Sequence, residues 1–141
     1  MEFVELSEKE FLNYSKKSPY TSFYQMPEWA KVKKTNGWNS YFVGLKDKNK
    51  IVAATLLLSK KIKMFKTMFY APRGFLLDYN DLDLLKEFTI KVKEFIKSKD
   101  ALFLKINPYV DYQERTVDGD IVEGTEKKEL FKTLESLGFK H

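Results

Sequence analysis

The residues able to do acid–base or nucleophilic chemistry are few in this sequence. It contains no cysteine, and its single histidine is the last residue, His141. A Ser-His-Asp or Cys-His arrangement therefore has no members, thiolate chemistry has no carrier, and a His-rich metal site is not expected. What remains is charge and hydrogen bonding. Nearly all of the 25 basic residues are Lys, the arginines being Arg73 and Arg115. Arg73 stands in Ala71-Pro72-Arg73-Gly74, where a planar guanidinium suits bidentate contact with phosphate or carboxylate; a surface ion pair is the plainer reading. Gly74 reads as a turn residue at positive φ. Asn107 stands before Pro108, and its amide cannot take a proton as a general base, although it can orient a substrate or donate to an oxyanion. Lys33, close to Lys31 and Lys34, reads on its own as solvated surface, and Trp29 and Trp38 as packing residues. Lys60, Lys61, Lys63 and Lys66 interleave with Ile62, Met64 and Phe65. Such a run is either a solvated hairpin or a polyanion-binding edge.

These side chains must be positioned by elements that the apolar pattern marks out. A strand over residues 3–6 precedes Ser7 and Glu10, which have capping-box spacing for a helix ending near Lys17. After the turn-rich residues 18–22, Pro27 suits the first position of a second helix running to about Lys34, with Gly37 ending it. Residues 38–45 and 51–59 flank Asp47-Lys48-Asn49-Lys50 and read as an antiparallel pair. The run 51–58 is nearly all apolar, as in a central strand buried on both faces. A third strand, 67–71, stops at Pro72. A helix capped at Asn80 or Asp81 carries Leu84, Leu85, Phe88, Val92, Phe95 and Ile96 on one face. Residues 102–106 read as another inner strand, 108–124 as irregular, and a last helix carries Leu130, Phe131, Leu134 and Leu137, with Gly138 placed to cap it. The expected fold class is α/β (α+β): a mostly antiparallel sheet with helices packed on its faces, the element order of GNAT-like acyltransferases.

The chain has 141 residues, 43% of them hydrophobic, which is the length and apolar mass of one domain over residues 1–141. The net charge of +5 favours a polyanionic partner. The opening Met-Glu-Phe-Val-Glu-Leu lacks a basic stretch leading into an apolar one, so an intracellular, cytoplasmic protein without a secretory signal is expected. The longest apolar run, 51–58, falls far short of the roughly 20 residues a membrane-spanning helix needs.

Three stretches, taken in order and spacing, resemble the Fem family of aminoacyltransferases (FemA, FemB, FemX and MurM type). They are residues 23–33 followed by Gly37-Trp38, where the family's helix carries a Gln, a Trp and a Lys; residues 69–78 around Pro72-Arg73-Gly74; and Phe103-Leu104-Lys105-Ile106-Asn107-Pro108-Tyr109. The resemblance runs over nearly the whole chain. It implies the N-terminal, GNAT-like half of a longer enzyme whose second half is absent here.

It further implies transfer of an amino acid from aminoacyl-tRNA, the co-substrate, to the peptide stem of a peptidoglycan precursor, with no other cofactor. The acceptor would be a UDP-muramoyl-peptide or its lipid-linked form, the latter met at the inner face of the membrane. By the same resemblance Lys33 would contact the acceptor's diphosphate, and Arg73 and Asn107 would bind substrate. Many family members have Asp where Asn107 stands, so a general-base role is not expected at that position. An aminoacyl ester is already a good acyl donor, and positioning with electrostatics can supply much of the catalysis. Two other readings compete. A coenzyme A dependent GNAT acetyltransferase needs a Gly-rich turn opening a helix, and residues 71–76 hold one Gly. A non-catalytic module docking tRNA or a partner chain rests on the basic run at 60–66.

Overall fold

The computed structural model describes residues 1–108, 117–119 and 127–140. Tyr109, Asp111, Arg115, His141 and most of the expected irregular stretch lie outside the described residues.

Local signals start and stop most elements. Strand β1 (Glu2–Glu5) leads into Ser7, whose hydroxyl accepts from the Glu10 N–H at 3.1 Å while the Glu10 carboxylate accepts from the Ser7 N–H at 2.9 Å. This reciprocal pair satisfies two orphan donors of helix α1 (Glu8–Lys17). The Ser7 N–H, helped by Lys46, holds the Glu10 carboxyl below the ordinary range. A 3-10 turn (Phe23–Gln25) precedes α2 (Pro27–Lys34), which has Pro27 in its first position. Strands β2 (Asn39–Asp47) and β3 (Lys50–Lys63) are joined by Lys48 and Asn49, both at positive φ (49° and 68°). Such angles match the twist of a two-residue hairpin. Strand β3 runs four residues past the expected Ser59, so that Lys60 and Lys61 stand in the strand, and β4 (Lys66–Ala71) follows.

Helix α3 (Leu82–Lys97) is capped by the Asp81 carboxylate, which accepts from the Leu84 N–H at 3.0 Å. Strand β5 (Ala101–Ile106) and helix α4 (Lys128–Ser136) complete the described elements. At the end of α4 the N–H groups of Gly138 and Phe139 donate to the carbonyls of Glu135 and Leu134, with Gly138 at φ +95°. This is the Schellman closure that a glycine there permits.

The sheet order is β1-β2-β3-β4-β5. The first three junctions are antiparallel, and β4–β5 is parallel, because α3 carries the chain back before β5 begins. As expected, β3 is central: Ala53, Ala54, Thr55, Leu56, Leu57 and Leu58 are all fully buried. One face of the sheet packs Val43, Leu45, Leu57 and Phe69 against Leu85, Phe88 and Val92 of α3 and Leu130 and Leu134 of α4. The other packs Ala54, Leu56 and Leu58 against Phe11 of α1 and Ala30 of α2. Each fully buried Phe or Leu contributes about 1.5–3 kcal/mol before entropy is counted, so both layers hold the sheet in place.

Strand β5 corrects one expectation. It is outermost among the described strands, and Leu102 and Phe103 are 51% and 45% exposed. A run of apolar residues marks a strand but not its place in the sheet. Only part of β5, including Leu104 and Ile106, turns toward the core.

Candidate functional site

The sheet has a gap beside its central strand, and a side chain fills it. The β3–β4 ladder runs from Lys63↔Lys66 to Leu58↔Tyr70, and β3 next meets backbone on that side where Ala54 pairs with Leu76. Between these points the chain turns away at Pro72-Arg73-Gly74. The Gln25 amide takes the place of the missing strand residue. Its Oε1 accepts from the Leu56 N–H at 2.8 Å and from the Thr55 hydroxyl at 3.4 Å. Its Nε2 donates to the Leu56 carbonyl at 3.3 Å and the Pro72 carbonyl at 2.7 Å. Gln25 is fully buried, where an unpaired amide would cost several kcal/mol, so these bonds fix the 3-10 turn, β3 and the Pro72 turn as one unit.

Gly74 is held for space rather than for angle. The left-handed residue of the turn is Arg73, at φ +56°, and Gly74 does not take the positive φ expected of it. A Cβ on Gly74 would lie 2.6 Å from the Thr55 hydroxyl and 3.0 Å from Gln25 Nε2. The Arg73 N–H donates to Asn107 Oδ1 at 2.7 Å, and the Tyr70 hydroxyl donates to the same oxygen at 3.3 Å. Lys105, paired with Tyr70 across the parallel junction, sets its ammonium 5.3 Å from the centre of the Tyr70 ring. Two expected residues, Arg73 and Asn107, are thus brought together at the carboxyl ends of β4 and β5, with Tyr70 and Lys105 beside them. The crevice outside such strand ends is where α/β sheets bind ligands. A groove of about 630 Å³ opens there between β5 and α4, lined by Asn107, Lys105, Ile106, Phe131 and Phe139.

Lys33 belongs to a different cluster. Its ammonium lies 5.4 Å from the centre of the Trp29 ring and 5.0 Å from that of Trp38. Lys60 of β3 reaches the same Trp38 ring at 5.5 Å. Both tryptophans are half-buried and pack at the edge of the core under α1 and α2. They are packing residues, as expected, that also seat a cation.

Tyr70, Lys105 and Gln25 were not marked as site residues by the sequence. A period-two reading of β5 against β4 pairs Lys105 with Tyr70. Gln25 carried one signal, a lone amide between Phe23-Tyr24 and Met26-Pro27. Behind the turn, the Tyr14 hydroxyl of α1 donates to the carbonyls of Val52 (3.2 Å) and Leu76 (3.0 Å), and burial pushes its phenol up to about 12. Among the described residues no group of His, Cys, Asp and Glu has the geometry of a metal site. The arrangement suits binding of an anion and orientation of a carbonyl rather than strong base catalysis.

A model of the FemAB family matches residues 6–141. The aminoacyltransferase FemA of Staphylococcus epidermidis is 33% identical over 142 residues, which cover 100% of this chain and 34% of that protein. FemA of Staphylococcus aureus is 33% identical over 143 residues, with the same shares. The crystal structure of FemX superposes with a TM-score of 0.82 at 29% identity, over 100% of this chain and 32% of the other. An acetyltransferase of Trypanosoma brucei superposes with a TM-score of 0.53 at 15% identity, over 99% of this chain and 92% of the other, a likeness of fold alone. The chain spans about a third of the length of the curated relatives it matches.

Proposed function

The chain belongs to the FemAB family, and we propose that it is the N-terminal, acceptor-binding part of an aminoacyltransferase that moves an amino acid from aminoacyl-tRNA onto the peptide stem of a peptidoglycan precursor. The observation that carries this reading is the match of the whole chain to FemA, an aminoacyltransferase, at 33% identity. The chemistry is aminolysis: the acceptor amine attacks the ester carbonyl, and tRNA leaves through its ribose oxygen. In this part of the enzyme the groups available for that reaction bind and orient. Lys33, backed by two indole rings, presents an ammonium to the acceptor's diphosphate. Arg73 offers a second cation. Asn107 commits its oxygen to the Arg73 N–H and the Tyr70 hydroxyl, so its NH2 is the end that can donate to substrate.

The reading as a coenzyme A dependent acetyltransferase has less behind it. The Arg73 turn opens no helix: Leu76 returns to pair with Ala54, and α3 begins only at Leu82. Without N–H groups converging at a helix start, the turn offers no cradle for a pyrophosphate. No helix among the described residues is long and apolar enough to cross a membrane. The reaction is assigned to the cytoplasm, at the membrane's inner face where the acceptor is lipid-linked.

The test is calorimetric titration of the chain with a UDP-muramoyl-pentapeptide at low salt. Lys33→Met keeps the stem and removes the charge, and should weaken binding about tenfold, the loss of one charge-assisted contact. Equal affinity in parent and variant would remove Lys33 from the site. Charged tRNA with the same acceptor should give no turnover on this chain alone, because a third of the enzyme cannot hold amine and ester in attack geometry. Turnover on the order of one per second would show a complete site within these residues.

A further inference from the structure

We propose that the tip of the β3–β4 hairpin is a membrane-docking element that seats on an anionic lipid surface. The described residues contain two hairpins with two-residue tips, and they differ sharply in chemistry. Between β2 and β3 the tip is Lys48-Asn49, polar and at positive φ, as hairpin chemistry prefers. Between β3 and β4 the closing pair is Lys63↔Lys66 and the tip is Met64-Phe65. Met64 is 83% exposed and Phe65 77%, with Ile62 at 41% beside them. Neither local turn preference nor burial accounts for two large apolar side chains at the outermost point of a hairpin.

The charges around the tip identify its partner. Lys60, Lys61 and Lys66 are exposed, Lys63 adds a fourth in sequence, and residues 59–69 contain no Asp or Glu; Asp100, which lines a cleft with Met64 and Phe65, is outnumbered there by Lys61 and Lys99. An apolar point ringed by lysines matches the layering of an anionic bilayer surface. Phe and Met enter the acyl boundary while the ammoniums stay among the headgroups. RNA fits less well, because Phe65 offers a single stacking face while Ile62 and Met64 offer none, and a convex two-residue tip forms no groove to track a phosphate backbone. A single small element of this kind gives reversible docking rather than permanent attachment.

The position of the hairpin gives the docking a use, and this part rests on the function proposed above. Lys60, at the hairpin's base, shares the Trp38 ring with Lys33. About four strand residues, roughly 13 Å, separate Lys60 from the tip. With the tip in lipid, the Lys33–Trp38–Lys60 cluster stands near headgroup height, where the diphosphate of a lipid-linked acceptor lies.

The experiment is co-sedimentation of the chain with mixed phosphatidylglycerol–phosphatidylcholine vesicles and with phosphatidylcholine vesicles, at low and high salt. Binding should be confined to the anionic vesicles and weaken with salt. The double variant Met64→Ser/Phe65→Ser keeps every lysine, and should lose about tenfold in vesicle affinity while its thermal midpoint stays that of the parent. Lys61→Gln should lose less. Unchanged vesicle binding in the double variant would overturn the proposal, as would equal binding to neutral vesicles. Binding of bulk tRNA by the parent that disappears in the double variant, with no vesicle sedimentation, would overturn it in favour of a nucleic-acid edge. Lys33→Met should weaken vesicle binding no more than Lys61→Gln does, well short of the tip double variant, so failure of the acceptor assignment and failure of the membrane assignment are read separately.

Discussion

The Gln25–Gly74–Asn107 junction and the Lys33–Trp38–Lys60 cluster fix polar groups by opposite means. In the first, two amides satisfy backbone and hydroxyl groups at 2.7–3.4 Å, Gln25 through both its oxygen and its nitrogen and Asn107 through its oxygen. In the second, ammoniums sit 5.0–5.5 Å from the centres of aromatic rings that restrain them without neutralising them. The amides build a rigid turn and cannot also serve as ligands through the same atoms. The lysines stay available to a ligand and contribute little to the fold. Substitutions in the junction should therefore register in stability, and substitutions in the cluster in binding.

The largest break in that contrast should come from Gln25→Ala. It leaves the Leu56 N–H and the Pro72 carbonyl buried without their partner, while the Leu56 carbonyl keeps the Thr55 hydroxyl at 3.1 Å, and should cost about 3 kcal/mol in chemical denaturation. A loss below about 1 kcal/mol would mean that water or a shifted turn replaces the amide. Lys33→Met, by contrast, should leave the denaturation midpoint within about 0.5 kcal/mol of the parent.

A somewhat smaller effect is expected from pH. The Tyr14 phenol is held at about 12 by burial, above its ordinary value near 10, so the folded state favours the neutral, donating form. Burial pushes Tyr79 upward as well. The Tyr14 contribution is fully present below pH 10 and is lost as pH rises from about 10 through about 12, amounting to about 2 kcal/mol after allowance for its partial exposure. Thermal midpoints should fall across that window, and Tyr14→Phe should flatten the fall. Equal slopes in parent and variant would assign the loss to other groups.

Within the junction, Asn107→Asp should have the smallest effect. A carboxylate accepts from the Arg73 N–H and the Tyr70 hydroxyl as an amide oxygen does, so stability should move by less than about 1 kcal/mol. Asn107→Leu, which cannot accept, should cost about 2 kcal/mol. Identical losses in the two variants would show that Asn107 does not anchor the turn through its oxygen.

What was legible in the sequence was whatever is encoded locally. The Ser7–Glu10 box, Pro27 opening α2, the Asp81 cap and the Gly138 stop all act within a few residues of themselves. The central place of β3 was readable because burial on both faces leaves an unbroken apolar run. Strand β5 misled for the same reason, since its run is apolar while part of it faces outward. The bond between Arg73 and Asn107 joins residues that are 34 apart, and those of Gln25 reach partners 31 and 47 away. No period or cap signals such distances. Gly74 read as a left-handed turn residue because a glycine states that something is excluded without stating whether it is an angle or a side chain.

The Gln25 amide has a consequence for how the protein opens. Leu56 lies in the middle of the most buried strand, where amide protons ordinarily exchange with solvent only on global unfolding. Its N–H is held by a side chain on a three-residue 3-10 turn rather than by a neighbouring strand. Lifting that short turn frees the Leu56 proton while the β2–β3 ladder stays closed. A single slow-exchanging proton that decouples from Ala54 and Leu58 would thus report the excursions of residues 23–25, and hence of the start of α2 and the tryptophan that follows, in the intact native protein.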